Sequence, residues 1–318
     1  MTNHIHLQRN SAAYPIAKTV LMIEPVHFGF NAETAVNNYF QTPVDDSNET
    51  LQQLALNEYL SMVEKLRSVG IEVISVRDTE KPYTPDSIFP NNWISFHEDG
   101  QVVLYPMFAP NRRAERRTDI PQIVENHGHL LSNIDDFSFW EDENRFLEGT
   151  GSMILDRGNK IAYAAISERT DKSLFLQFCS TFGYKPVTFT ANQSVGSERK
   201  PVYHTNVMLC VADCYAVICA ESIDDLSERE MVIRSLQESG KTIIEISEKQ
   251  MHHFAGNMLQ LANGVGKIFL VMSQTAFDCL NEGQINALQN FNDLIICAIP
   301  SIENAGGGSV RCMMAEVF

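Results

Sequence analysis

Apolar residues recur along this chain in two periods. Over 51–66, "LQQLALNEYLSMVEKL", residues Leu51, Leu54, Tyr59, Val63 and Leu66 fall at helical spacing and predict an amphipathic helix. The stretches "QVVLYPMF" (101–108), "KIAYAAI" (160–166), "YAVICAE" (215–221) and "KIFLVM" (267–272) are short and apolar, and predict buried strands. Each predicted helix ends at a residue that tolerates left-handed backbone and is followed by another short apolar run. These residues are Gly70, Gly128, Gly183 and Gly240, with Asn292 in the fifth position, at intervals of 52 to 58 residues. Ser227 followed by Glu230 predicts a capping box that opens the helix closing at Gly240.

The pattern is a unit of strand, helix, strand and strand, about 56 residues long, and five units account for nearly all of the 318 residues. No Pro-, Ser- or Gly-rich linker divides the chain, so residues 1–318 are expected to form a single α/β domain. Units of equal length each bury a face against their neighbours. With five of them and no polar capping unit, a closed five-bladed arrangement about a common axis is expected rather than an open solenoid.

About 20 residues beyond each helix end, every unit carries a polar residue beside an apolar strand. The stretches are "IFPNNWISF", "FLEGTGSMIL", "VYHTNVMLC", "HFAGNMLQL" and "GGGSVRCMMA", and the residues are Asn92, Glu148, His204, Asn257 and Cys312, 53 to 56 residues apart. Alone, a histidine or a cysteine is more often structural. A thiol, an imidazole and a carboxylate in one phase of a repeat make a constellation for nucleophilic catalysis. If Cys312 lies on a strand and faces the axis, Arg311 faces away. The glycines 306–308 allow backbone to approach a substrate closely, Gly307 among them. The polar stretch "TANQSVGSERKP" (190–201) is a candidate mobile cover.

Charge and composition narrow the partners. The net charge is −16, which argues against nucleic acid. No apolar run approaches the ~20 residues of a membrane span, and the start "MTNHIHLQRN" has no charged segment followed by an apolar one, so a cytoplasmic protein is expected. Seven cysteines occur without a CxxC pair. Cys210, Cys214 and Cys219 sit among apolar neighbours and read as buried thiols of a reducing compartment. The basic cluster "NRRAERR" (111–117) suits a small anion such as a carboxylate. Neither a metal nor an organic cofactor is implied. The expected partner is a small amino acid, and a homo-oligomer is left open.

The stretches "DSIFPNNW", "MFAPNRRAERR", "FLEGTGSMILDR", "YHTNVML" and "GGGSVRCM", in that order, resemble the guanidino-modifying superfamily. It holds arginine deiminases, dimethylarginine dimethylaminohydrolases, agmatine deiminases and amidinotransferases. The branch most similar includes citrulline-utilisation hydrolases. The resemblance implies the pentein fold, a five-bladed α/β propeller with pseudo-fivefold symmetry. It implies Cys312 as nucleophile, His204 as general acid/base and Glu148 as the carboxylate beside them. It further implies Asp86 for the substrate's α-amino group, with Arg169 and Arg113 for its carboxylate.

Two departures matter. Deiminases commonly carry Asp where this chain has Asn92, and Asp two residues after the histidine, where it has Asn206. A guanidinium is a cation with donors only and suits carboxylates; a neutral ureido group adds a carbonyl acceptor and suits amides. The expected reaction is therefore hydrolysis of a C–N bond in citrulline, giving ornithine, carbon dioxide and ammonia. The alternatives are an arginine or methylarginine deiminase, an amidinotransferase, and a non-catalytic binding protein of the same fold, as in ribosome-binding initiation factors.

Overall fold

The computed structural model describes residues 14–43 and 47–318. Five three-stranded sheets share one plan. Their central strands are Thr19–Glu24, Gln101–Leu104, Ile161–Ala165, Tyr215–Ile218 and Ile268–Ser273. Each pairs in parallel with the strand that follows it: Glu72–Arg77, Asn133–Asp136, Lys185–Phe189, Thr242–Glu245 and Asp293–Cys297. A parallel pair needs a crossover, and helices supply it. These include Asn48–Ser68, Ile120–Asn126, Lys172–Phe182, Leu226–Glu238 and Glu282–Gln289.

The third strand of each sheet is short and antiparallel. In four sheets it lies just before the central strand: Ile94–Phe96, Ile154–Asp156, Leu209–Val211 and Leu259–Ala262. In the fifth it comes from the far end of the chain, where Ala315–Val317 pairs with Thr19–Glu24 in the register Thr19↔Val317. The unit read along the sequence is thus not the sheet. The fourth strand of each unit turns tightly into the first strand of the next and joins that sheet. The five sheets are separate, and none closes on itself.

Local chemistry explains the elements. Helix Asn48–Ser68 starts at Ser47, whose side chain accepts from the Thr50 amide. It buries Leu51, Ala55, Tyr59, Met62, Val63 and Leu66. Leu54, expected on that face, points outward and is 39% exposed. Helix Leu226–Glu238 opens at Asp225, which accepts from the Ser227 and Glu228 amides, so the expected Ser227 cap is displaced by a stronger acceptor two residues earlier. Gly183 is a left-handed cap at φ 70°. Asn292 is not left-handed: its Nδ2 donates to the Leu288 carbonyl at 3.1 Å and the Tyr215 hydroxyl at 2.9 Å.

The central strands Ile161–Ala165 and Tyr215–Ile218 are buried at every position, as strands covered on both faces are. One buried ion pair, Asp156–Lys241 at 3.2 Å, is roofed by the Tyr14 ring, 4.4 Å from the ammonium. Residues 190–201 are not a loose cover. They form an antiparallel hairpin, Asn192–Val195 with Glu198–Pro201, and Arg199 ties it to Asp224 at 2.8 Å and Glu248 at 2.5 Å. Among the described residues, no helix is long and apolar enough to cross a membrane.

Candidate active site

The five polar residues of common phase gather in one place, but none stands on a strand. Asn92 ends the single turn Pro90–Asn92, Glu148 precedes Gly149–Ser152, and His204 precedes Thr205–Val207. Asn257 lies between Glu248–Met251 and the strand at Leu259. Cys312 lies in a turn closed by its own amide on the Ser309 carbonyl at 2.9 Å. The Arg311 guanidinium does leave the sulfur, through turn geometry rather than strand alternation. It donates to the Met314 carbonyl at 2.9 Å and to Glu316 at 3.0 Å.

His204 and Glu148 form a buried pair, with Nε2 and Oε2 2.7 Å apart. The other carboxylate oxygen accepts from the Phe108 amide at 2.9 Å, and Arg169 Nη1 stands 3.6 Å from the first. Burial raises the Glu148 carboxyl, but the charges of Arg169, His204 and Arg112 and the histidine hydrogen bond outweigh it and bring it down to about 2. Burial pushes the His204 imidazole down to about 4, against the pull of Glu148. At neutral pH the ring is therefore neutral and donates Nε2–H to the carboxylate. Its Nδ1 lone pair is left free on the side of Gly151, where a Cβ would lie 2.8 Å from Nδ1 and collide with Asn92 Nδ2.

Cys312, His204 and Asn92 line a cavity together with Asp86, Arg169 and Gly307. Glu148 is reached through His204. Asn206 is 3.4 Å from the Cys312 sulfur through Nδ2, and its Oδ1 is buried without a partner among the described residues. Asp86 Oδ2 accepts from Asn31 at 2.7 Å and Thr34 at 3.2 Å, while Oδ1 has no partner among the described residues. Burial raises the Asp86 carboxyl, with the Arg112 charge opposing.

The arginine expected at 113 is displaced by one. Arg113 turns away, donating to the Met107 carbonyl at 3.1 Å and lying 3.6 Å from Glu141. Arg112 lines the cavity instead, but its donors are committed. It makes two 2.9 Å bonds to Glu115 and one of 2.8 Å to Asn92 Oδ1. That last bond fixes the Asn92 amide: the oxygen faces the guanidinium, and Nδ2 is a buried donor with no partner among the described residues.

Sequence reasoning missed the segment 25–43, which covers the cavity. Thr34 and Asn38 line it. Arg169 donates to the Thr34 carbonyl at 2.8 Å and to Asn37 Oδ1 at 2.9 Å. Asn38 Nδ2 reaches the Gly306 and Gly307 carbonyls at 3.4 Å, and the Thr42 amide donates to the Asn304 carbonyl at 2.7 Å. The space freed by the glycines is taken by protein. A Cβ on Gly307, at φ +63°, would lie 2.6 Å from Asn38 Nδ2, and one on Gly306 or Gly308 2.8 Å from the Phe89 ring. The room left inside is about 10 Å³ for the centre of a water-sized sphere, enough for one water molecule.

The family model for N,N dimethylarginine dimethylhydrolase, eukaryotic, matches residues 24–318. The chain belongs to this family. Solved structures with the fold of the N,N dimethylarginine dimethylhydrolase family superpose on nearly all of the chain. The product-bound N-terminal domain of ArgZ, an arginine dihydrolase from the ornithine–ammonia cycle in cyanobacteria, matches with a TM-score of 0.71 at 15% identity, covering 94% of this chain and 97% of that one. Unliganded AgrE matches at 0.71 and 17% identity, covering 94% of this chain and 39% of that one. A dimethylarginine dimethylaminohydrolase adduct with S-methyl-L-thiocitrulline matches at 0.63 and 12% identity, covering 95% and 100%. No curated protein matches the chain. Membership places it in the guanidino-modifying superfamily expected from its motifs.

Proposed function

We propose that the chain is a cysteine-dependent hydrolase of a carbon–nitrogen bond in a neutral ureido amino acid, with citrulline as substrate. The observation that carries this reading is the locked amide of Asn92. Arg112 occupies its oxygen, so the group it offers the cavity is a donor. A ureido carbonyl accepts from that donor, whereas a guanidinium presents only further donors. Asn206 Oδ1, buried and unpartnered, supplies an acceptor for the ureido N–H groups. Asp86 Oδ1 takes the α-ammonium, and Arg169, released from Thr34 and Asn37, takes the carboxylate.

In the reaction, the Cys312 thiol gives its proton to the free Nδ1 of His204 as the sulfur attacks the ureido carbon. The bond from that carbon to the side-chain nitrogen of the amino acid breaks, and the imidazolium returns the proton to the leaving amine. Ornithine departs and a carbamoyl thioester remains. Water, deprotonated by His204, cleaves it to carbamate, which decomposes to carbon dioxide and ammonia. Glu148 holds the ring in the tautomer these transfers need. Segment 25–43 supplies Thr34 and Asn38 to the cavity wall, and its displacement would widen the cavity for the amino acid.

Five like sheets, with three of the in-phase polar residues lining one cavity and the other two bonded to residues that line it, support the five-bladed pentein arrangement as one domain. Thiols rather than disulfides at Cys179, Cys210, Cys219, Cys297 and Cys312 support a cytoplasmic setting. A second reading, a guanidino substrate, draws on the arginine dihydrolase among the similar structures. Purified protein incubated separately with citrulline and with arginine decides between them. Ornithine and ammonia from citrulline are expected. Citrulline from arginine, with no ornithine from citrulline, overturns the proposal.

A further inference from the structure

A neutral substrate raises a problem that a guanidinium does not: it brings no positive charge to the sulfur that attacks it. Asn257 sits where that deficit is felt. Its Oδ1 accepts from the Arg311 amide at 3.0 Å. An N–H donor at that position fixes which end of the side-chain amide is oxygen. The Nδ2 end is thereby aimed at two acceptors, the Asn206 carbonyl at 3.0 Å and the Cys312 sulfur at 3.3 Å. Asn257 is fully buried, so water does not substitute for these bonds.

We infer that Asn257 activates and positions the nucleophile. It donates a hydrogen bond that favours the thiolate of Cys312, and through Asn206 it sets a second amide, 3.4 Å away, on the same sulfur. A sulfur carrying negative charge gains more from an N–H donor than a neutral thiol does. The contacts also join the Cys312 turn to the His204 segment: one side chain bonds the residue before Cys312 and the residue two after His204. This inference rests on Cys312 being the nucleophile, not on which substrate it attacks.

The test reads the sulfur directly. Wild-type protein, Asn257→Ser and Asn257→Asp are alkylated with 2-chloroacetamide, a neutral reagent, and the peptide containing Cys312 is quantified by mass spectrometry from pH 7 upward. The charged and titratable groups around the cavity, Asp86, Arg112, Arg169, Tyr203 and His204, are the same in all three proteins. Losing a hydrogen bond to a charged group slows alkylation at pH 7 about tenfold in Asn257→Ser. The decrease is larger in Asn257→Asp, which keeps the acceptor for Arg311, nearly preserves shape, and places a carboxylate against the sulfur. As pH rises the three rates converge. Equal rates at pH 7, or one loss factor at every pH, overturn the inference, because the latter marks altered access rather than ionisation. A wild-type Cys312 that reacts no faster than Cys210, whose thiol burial pushes up to about 12, overturns the nucleophile itself.

Discussion

Exchanging Asn92 for Asp replaces a single NH2 group by oxygen, at the point proposed to separate a ureido from a guanidino substrate. The side chain keeps its size and its bond to Arg112, 2.8 Å from the present oxygen. The buried donor becomes a second carboxylate oxygen. For citrulline this removes the hydrogen bond to the ureido carbonyl and sets two acceptors against each other. Leaving a buried carbonyl without its donor costs about 1–3 kcal/mol, so kcat/KM for citrulline falls roughly 5- to 150-fold. For arginine the same exchange adds a charge-assisted bond of similar size. The ratio of the two kcat/KM values therefore moves by roughly 10²- to 10⁴-fold toward arginine. Initial rates of ornithine, citrulline and ammonia production at subsaturating substrate measure the ratio. An unchanged ratio, with both substrates slowed equally, would falsify the assignment of Asn92 as the discriminating group.

Cys312→Ser is expected to abolish citrulline hydrolysis while leaving the thermal melting temperature within a few degrees of wild type; retained turnover refutes covalent catalysis. Gly151→Ala forces a methyl into Asn92 and His204. Turnover should drop at least ~100-fold, because misplacement by about 1 Å has that effect, and a drop under tenfold shows that the two side chains relax harmlessly. Stability should fall with acid. Native His204 titrates at about 4 and the unfolded side chain near 6.5, so above 6.5 neither state is protonated and between the two only the unfolded chain binds the proton. At pH 5 this amounts to about 2 kcal/mol, and Glu148, at about 2, adds to the loss below its unfolded value. Urea midpoints at pH 7.5 and 5 measure it, and an undiminished difference in His204→Gln counts against the assignment. Gly158→Ala drives a Cβ to 2.6 Å from Tyr14 Cε2 and unroofs the Asp156–Lys241 pair. Stability should decrease by about 1–3 kcal/mol with activity per folded molecule unchanged.

Much of the site was written in phase. Asn92, Glu148, His204, Asn257 and Cys312 recur at nearly constant spacing, and the chain brings them to one cavity, or to a side chain in it. Spacing does not say which strand joins which sheet. Each short strand, such as Ile94–Phe96, is claimed by the sheet of the next unit through a tight turn that apolar pattern alone does not distinguish. Nor does it separate adjacent residues of one helical turn. Arg112 and Arg113 project about 100° apart, and the signal that picks Arg112 is Glu115 three positions on, where a buried partner on the same face keeps it inside. The covering segment 25–43 has neither period. Its structure comes from polar side chains such as Asn31 and Asn38 meeting carbonyls and carboxylates far away in sequence, and no local pattern records those meetings. Asn257 was visible as a position, while its task depends on which way its amide faces.

The pairing of Ala315–Val317 with Thr19–Glu24 has a consequence for how activity appears in time. Cys312 stands just before that strand, and its sheet partner comes from the opposite end of the chain. Contacts so remote in sequence carry the greatest loop-closure entropy and come late when a chain folds. Intermediates in which four sheets have formed still lack the turn that brings the sulfur into the cavity His204 lines. In a refolding experiment, the return of a reactive Cys312 should lag behind the return of helix and strand signals, so that the thiol serves as a clock for the joining of the two ends.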